Sequence, residues 1–208
     1  MFETIGMLRQ GGLIMLPLAL CSLTAVTIIL ERLYALRRSA VFEGRVLHIM
    51  QQYAGETTAD AALAACRQTP GPLARVIEEV IRTRHIEHAQ AVEAVHATGR
   101  IQVASLERGL TLLEIIAGVS PLLGLLGTVL GMVTVFNAIT AQGIGDPQVL
   151  SDGISKALVT TVAGLIIAIP SLAFHSWLSR RVDDYAMEMQ NAAMRFVFKV
   201  RALPKRSE

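Results

Sequence analysis

The chain has 208 residues, 52% of them hydrophobic and only 17% charged, with a mean hydropathy of +0.49. Soluble domains carry about 25% charged residues, so this composition argues against an ordinary soluble enzyme and predicts a polytopic membrane protein. The net charge of +2 says little in sum, but its distribution along the chain is informative.

Residues 1–9 include Phe2, Ile5, Met7 and Leu8, a short amphipathic segment suited to lying on the outer membrane face. A first apolar run, 10–30, lies between Arg9 and Glu31 and contains Pro17, which a membrane helix tolerates. Apart from Arg9 the basic residues follow this run rather than precede it, the reverse of a signal peptide, so the span is expected to be retained.

Region 31–114 reads as helical throughout. A break is expected near Gly55, with Thr57 or Thr58 capping a helix that ends before Pro70-Gly71-Pro72. Pro72 suits the first turn of the next helix, whose Leu73, Val76, Ile77, Val80 and Ile81 follow helical spacing. No proline intervenes between Glu87 and Pro121, which predicts one continuous helix entering the second apolar run. Residues 87–141 would then extend about 80 Å, far more than a bilayer, so a cytoplasmic helical bundle is expected beneath the membrane.

The second span is 115–141, the connection 142–146, and the third span 147–178. No charge lies between Glu114 and Asp146, or between Lys156 and Arg180. Each uncharged run meets the requirement of roughly 20 residues for a spanning helix. Asp146-Pro147 reads as a helix start, with an N-cap side chain and proline at the first helical position. In the turns that follow, Ser151, Asp152, Ser155 and Lys156 are polar while Val149, Leu150, Ile154 and Leu158 are apolar. One wet face and one dry face suit the mouth of an aqueous pore; the bland alternative is a helix projecting above the membrane. Beyond Trp177 the tail, 179–208, continues as a helix. Its Val182, Tyr185, Met189, Ala193, Phe196 and Val200 form a stripe for packing on the bundle.

Ten Lys and Arg residues fall in 31–114 and seven in the tail, leaving Arg9 and Lys156 for the other side. The positive-inside rule then places the N-terminus outside and the C-terminus in the cytoplasm.

Both later spans carry small and hydroxyl residues at helical spacing. In the second these are Ser120, Gly124, Gly127, Thr128, Gly131 and Thr134; in the third, Thr160, Thr161, Gly164, Ala168 and Ser171, with Pro170 alongside. Such stripes let backbones approach closely, and hydroxyls can bond across an interface or face water. Packing explains the glycines more readily than the threonines. GLLGTVLG (124–131) resembles a phosphate loop only in its glycines, and no catalytic set is recognisable, so an enzyme is not expected. His85, His88 and His96 read as solvated helix histidines rather than metal ligands, and no cofactor is expected. His175 is different, an ionisable group within an uncharged run and hence a functional candidate, although it could simply snorkel or bond a neighbour. Cys21 in the first span and Cys66 in region 31–114 do not suggest a disulfide framework.

The segments SPLLGLLGTVLGM (120–132) and GISKALVTTVAGLIIAIP (153–170) closely resemble the proton-channel family that includes MotA, TolQ and ExbB. The three-span layout matches the ExbB and TolQ branches, ExbB first, rather than four-span MotA. The resemblance implies an all-α membrane protein of the bacterial inner membrane, assembled as a ring of five copies around a pair of helices from an ExbD-like or TolR-like partner. Proton flow would drive a TonB-like or TolA-like protein. The family's pore threonines fall on Thr128 and Thr161. Ser155, Lys156, Asp152 and His175 join them as proton-pathway candidates, while Gly124, Gly127, Gly131, Gly164, Ala168 and Pro170 are assigned to helix packing. Thr160, one residue round the helix, is expected to matter less than Thr161. The family often has an acidic residue where this chain has Lys156, and a Tyr-Asn pair near His175-Ser176. The apolar cores of spans two and three contain no carboxylate, so a partner is expected to supply one. A TolQ-like role, or a passive helical scaffold, are the competing readings.

Overall fold

The computed structural model describes residues 12–142 and 147–202, with the backbone alone described at 56, 138, 141–142, 147–150 and 152. The described residues are helical, with no strand among them. A single 3-10 turn, Gly12–Ile14, leads into α1 (Met15–Ala35). Then come α2 (Arg38–Val41), α3 (Gly44–Gln52), α4 (Glu56–Gln68), α5 (Pro72–Arg82), α6 (His88–Glu107), α7 (Leu110–Gln142) and α8 (Pro147–Ala202). They fall into two compact units, divided at Glu31/Arg32, Arg108/Gly109 and Trp177/Leu178.

Three helical stretches are long and apolar enough to cross a membrane, Gly12–Ala35, Leu110–Asn137 and Gly153–Ala202; the unit built from α1, α7 and the first part of α8 holds the second whole, the first up to Glu31 and the third up to Trp177. Their most apolar windows have mean hydropathies of 2.5, 2.0 and 2.2, yet only 28%, 22% and 28% of each is buried within the chain. Leu20, Leu23, Leu122, Ile166 and Ile169 are all more than half exposed. Water would not tolerate that surface on a monomer; lipid does.

The other unit is organised around α5, which buries Leu73, Ala74, Val76, Ile77, Val80 and Ile81 in its eleven residues. Pro72 occupies its first turn, as expected from the sequence. The late part of α8 buries Val182, Tyr185, Met189, Ala193 and Phe196, with Val197 buried where Val200 was expected. Tyr185 packs edge-on against Phe42 and Phe196 against Tyr53, at 5.6 and 5.3 Å between ring centroids. The Tyr185 hydroxyl donates to the Leu36 carbonyl at 3.1 Å and accepts from Arg181 Nε at 3.0 Å. Lys199 Nζ donates to the carbonyls of Met50 and Gln51 at 2.7 and 2.8 Å, satisfying the free end of α3 and complementing its dipole. Cys66 is fully buried, and desolvation, with the Glu78 charge adding to it, pushes its thiol up to about 11.

Two sequence expectations are corrected. Helix α4 is preceded not by a threonine cap but by Gly55 at φ +96°, and Thr58 lies inside the helix, its hydroxyl accepting from Ala54 N–H at 3.0 Å. The single helix expected from Glu87 into the second span is broken at Arg108-Gly109. Gly109 has φ +85°, a left-handed backbone that ends α6 before α7 begins at Leu110.

The two glycines of this region should respond oppositely to alanine. Gly99 is helical with nothing within 4 Å of an added Cβ, so Gly99→Ala should stabilise by about 1 kcal/mol. At Gly109 the positive φ penalises any Cβ, so Gly109→Ala should cost about 1 kcal/mol or more. Thermal unfolding midpoints in detergent should therefore rise for one and fall for the other.

Candidate functional site between the second and third spans

Helices α7 and α8 run antiparallel. Val135 meets Gly153, Gly131 meets Ala157, Gly124 and Gly127 meet Thr160, and Ser120 meets Gly164. The small positions recur at matching intervals, 120, 124, 127 and 131 on one helix and 153, 157, 160, 164 and 168 on the other. That spacing keeps each set on one helical face, so the absence of side chains brings backbone against backbone. A Cβ at Gly124 would lie 2.8 Å from the Thr160 carbonyl oxygen and 3.0 Å from Thr161 Cα, and one at Gly127 would strike the Thr160 hydroxyl. At Gly131 the neighbour is Ala157 Cβ at 3.0 Å, and at Gly164 the backbone of Ser120. Ala168 is buried, whereas Pro170 is exposed. Pro170 lines an apolar groove of about 280 Å³ with Ser22, Ala25 and Ile29 of α1.

The hydroxyls sort into two kinds. Ser120, Thr134 and Ser171 each donate to a carbonyl one turn back on their own helix, which makes them compatible with an apolar surrounding. Thr160, which also bonds Ala157 O one turn back, and Thr161 reach across to the Gly124 carbonyl oxygen, at 3.2 and 3.3 Å. Thr128 sits at this level but donates to Leu125 O of its own helix at 2.7 Å, so it is not paired with Thr161. Thr160, expected to be the less important neighbour, is the buried one at 2% exposure and is wedged between Gly124 and Gly127. Matching the small-residue intervals of the two spans would have singled it out, together with Gly153.

Ser155 and Lys156 are exposed on α8 a turn or more before this level. The Asp152 side chain lies outside the described residues, as does Asp146. At the other end of the span His175 Nε2 stands 3.9 Å from Glu114 Oε2, with side-chain exposures of 19% and 64%. Glu114 is thus the missed residue; its only sequence signal was that it bounds the uncharged run. No cluster of three or more His, Cys, Asp or Glu suited to a metal occurs among the described residues.

Residues 68–191, which include both glycine-lined faces and the Glu114–His175 pair, match the model of the MotA/TolQ/ExbB proton channel family. The chain belongs to that family. It is 34% identical over 187 residues to the biopolymer transport protein ExbB1 of Vibrio cholerae, covering 88% of this chain and 82% of the relative. An ExbB homologue of Methanothermobacter thermautotrophicus is 29% identical over 179 residues, 86% of this chain but 63% of that protein's length. The Tol-Pal system protein TolQ of Haemophilus influenzae is 36% identical over a shorter stretch of 90 residues, 43% of this chain and 40% of the relative. With three apolar helices, membership of this family makes the chain a multi-pass membrane protein.

The geometry makes the cost of filling the interface unequal along α7. Gly127→Ala places a methyl on Thr160 and should destabilise by about 1–3 kcal/mol. Gly118→Ala, with nothing within 4 Å, should be tolerated. The check is the thermal midpoint of each purified variant against the parent chain.

Proposed function

We propose that this chain is the channel subunit of a proton-motive-force machine in a bacterial inner membrane, of the ExbB kind. As its family resemblance implies, five copies form a ring around a pair of single-span helices from an ExbD-like or TolR-like partner. A TonB-like protein then carries the force to outer-membrane import. On this reading the N-terminus and residues 142–146 face the periplasm. Residues 31–114 and the tail form a helical bundle in the cytoplasm, where seventeen of the nineteen basic residues lie.

The observation that carries the proposal is Thr161, an only partly buried hydroxyl in the middle of an apolar span, turned toward the Gly124 carbonyl at the level of Thr128. A hydroxyl donates one hydrogen bond and accepts others, so two at one level, though not bonded to each other, can hold a water or receive a carboxylate without bearing charge. The apolar cores of α7 and α8 contain no carboxylate of their own. The partner helix supplies it, Thr128 and Thr161 face the ring's lumen, and Ser155, Lys156 and Asp152 shape its outer mouth. A TolQ-like role in envelope maintenance is the second reading, favoured by the match to the Haemophilus TolQ; a TolA-like protein would then receive the force.

Valine nearly preserves the shape of threonine and removes only the hydroxyl. Thr161→Val, and more weakly Thr128→Val, should therefore abolish proton-coupled activity of the complex while assembly persists. Thr24→Val in α1, whose hydroxyl bonds only Leu20 O of its own helix, is the control. Full activity in the Thr128→Val/Thr161→Val double variant would return both threonines to packing.

Orientation is tested separately by single cysteines at Gln142 and Gln51 in a chain lacking Cys21 and Cys66. An impermeant thiol reagent applied from the periplasm should label position 142 and spare 51, and the opposite pattern would reverse the topology.

A further inference from the structure

The proposed channel leaves one pair of side chains without a role. His175 is the lone ionisable residue in the run between Lys156 and Arg180, and Glu114 is the first charge met on leaving the uncharged run of α7 toward lower numbers. The antiparallel register that seats Thr160 against Gly124 brings these two to 3.9 Å, at the end of the spans away from residues 142–146. The distance suits an ion pair and is too long for a hydrogen bond. His175 is largely enclosed and Glu114 mostly exposed, so the pair has one face toward the helices and one open. The nearest other charges along each helix are Glu31 and Arg32 on α1, Glu107 and Arg108 beyond Gly109, and Arg180 and Arg181 on α8. Of these, Arg180 and Arg181 follow His175 by five and six residues along α8.

We propose that His175 and Glu114 form the proton-release site of this chain, an interhelical acid–base pair at the cytoplasmic end of the pathway that begins at the threonines. Thr161 precedes His175 by fourteen residues, about 21 Å along α8. Water in the lumen bridges that distance. A proton arriving on water transfers to the imidazole: the O–H bond of the hydronium breaks, an N–H bond forms at Nε2, and neutral water is left. The imidazolium is held by the Glu114 carboxylate across the 3.9 Å gap, then returns its proton to water on the exposed side of that carboxylate. No redox partner or cofactor is needed. An imidazole suits this step because its ordinary titration lies in the physiological range. The inference rests on the channel reading above and adds to it the place where protons leave.

The experiment has two arms, both on the full-length chain in lipid nanodiscs or vesicles. In the first, ring-labelled histidine is followed by NMR across pH 5 to 9, with His175→Gln used to assign the signal. His175 should titrate, and the titration should move in Glu114→Gln but not in Glu93→Gln, which removes an exposed carboxylate on α6. A His175 signal that does not titrate, or is indifferent to Glu114→Gln, overturns the pair. In the second arm, proton flux is measured in vesicles containing the chain and its partner. His175→Gln should lower flux about tenfold and remove the pH dependence that coincides with the NMR titration. An unchanged pH profile in His175→Gln overturns the release role, even if the pair exists. If the parent complex conducts no protons at any pH, the channel reading itself fails, while the NMR arm still decides whether Glu114 and His175 act as a pair.

Discussion

The membrane-spanning unit depends on how closely α7 and α8 approach. In lipid there is no gain from hiding apolar surface from water, because the acyl chains are as apolar as leucine; association rests on dispersion contacts and on polar groups that find partners. Gly124, Gly127, Gly131, Gly153 and Gly164 remove side chains from the seam, and Thr160 occupies the space between two of them. The Thr160 hydroxyl shares its single proton between Ala157 O of its own turn, at 2.7 Å, and Gly124 O opposite, at 3.2 Å, so the group that fills the gap also reaches across it. Everything else at the site takes its position from that register. Thr161 reaches Gly124 because Thr160 is seated, and Glu114 meets His175 because the pairing continues toward the ends of the helices.

The other unit is held by different physics. There, burial of α5 and of the late α8 stripe provides the drive, and polar groups finish the helix ends. Tyr185 combines both, with its ring against Phe42 and its hydroxyl on the Leu36 carbonyl. Exposed ion pairs such as Arg38 with Glu188, 70% and 43% exposed, add little to this. The extended α8 carries both kinds of surface in one helix. Its sequence changes from small and apolar before Trp177 to an apolar stripe among charges after it.

Much of this was legible in the sequence, and the failures share a cause. Charge-free runs marked the three helices long and apolar enough to cross a membrane, and the 3.6-residue period found the buried faces of α5 and of the tail. These are properties of one helix at a time. Gly109 is not marked as a breaker by the sequence, and at Gly55, where a break is expected, the cap is assigned to a threonine instead, because a positive φ is a property of the backbone path and glycine merely permits it. Thr160 and Glu114 were undervalued for another reason. Their roles depend on which residue of a second helix stands opposite, and that register follows from packing rather than from either helix's own pattern. Thr128 and Thr161 share a level, and neither helix's own pattern shows that one hydroxyl bonds within its helix and the other across the seam.

The division between charged and uncharged groups along α8 has a physical logic under the proposed function. A fixed carboxylate in the middle of a span costs several kcal/mol unless it is paired, and it would have to be carried in every copy of a ring. A threonine at the same depth costs little, because its proton can rest on a backbone carbonyl, of its own turn for Thr128 and of the helix opposite for Thr161. The chain therefore keeps its ionisable groups at the ends of its spans: Lys156 a turn before the threonines, and His175 with Glu114 at the far end. Between them lie only hydroxyls, amide carbonyls and apolar side chains. Such a wall can guide a charge without trapping it. A proton moving past it needs a mobile carrier, and one carboxylate on a central partner helix could serve every wall position in turn.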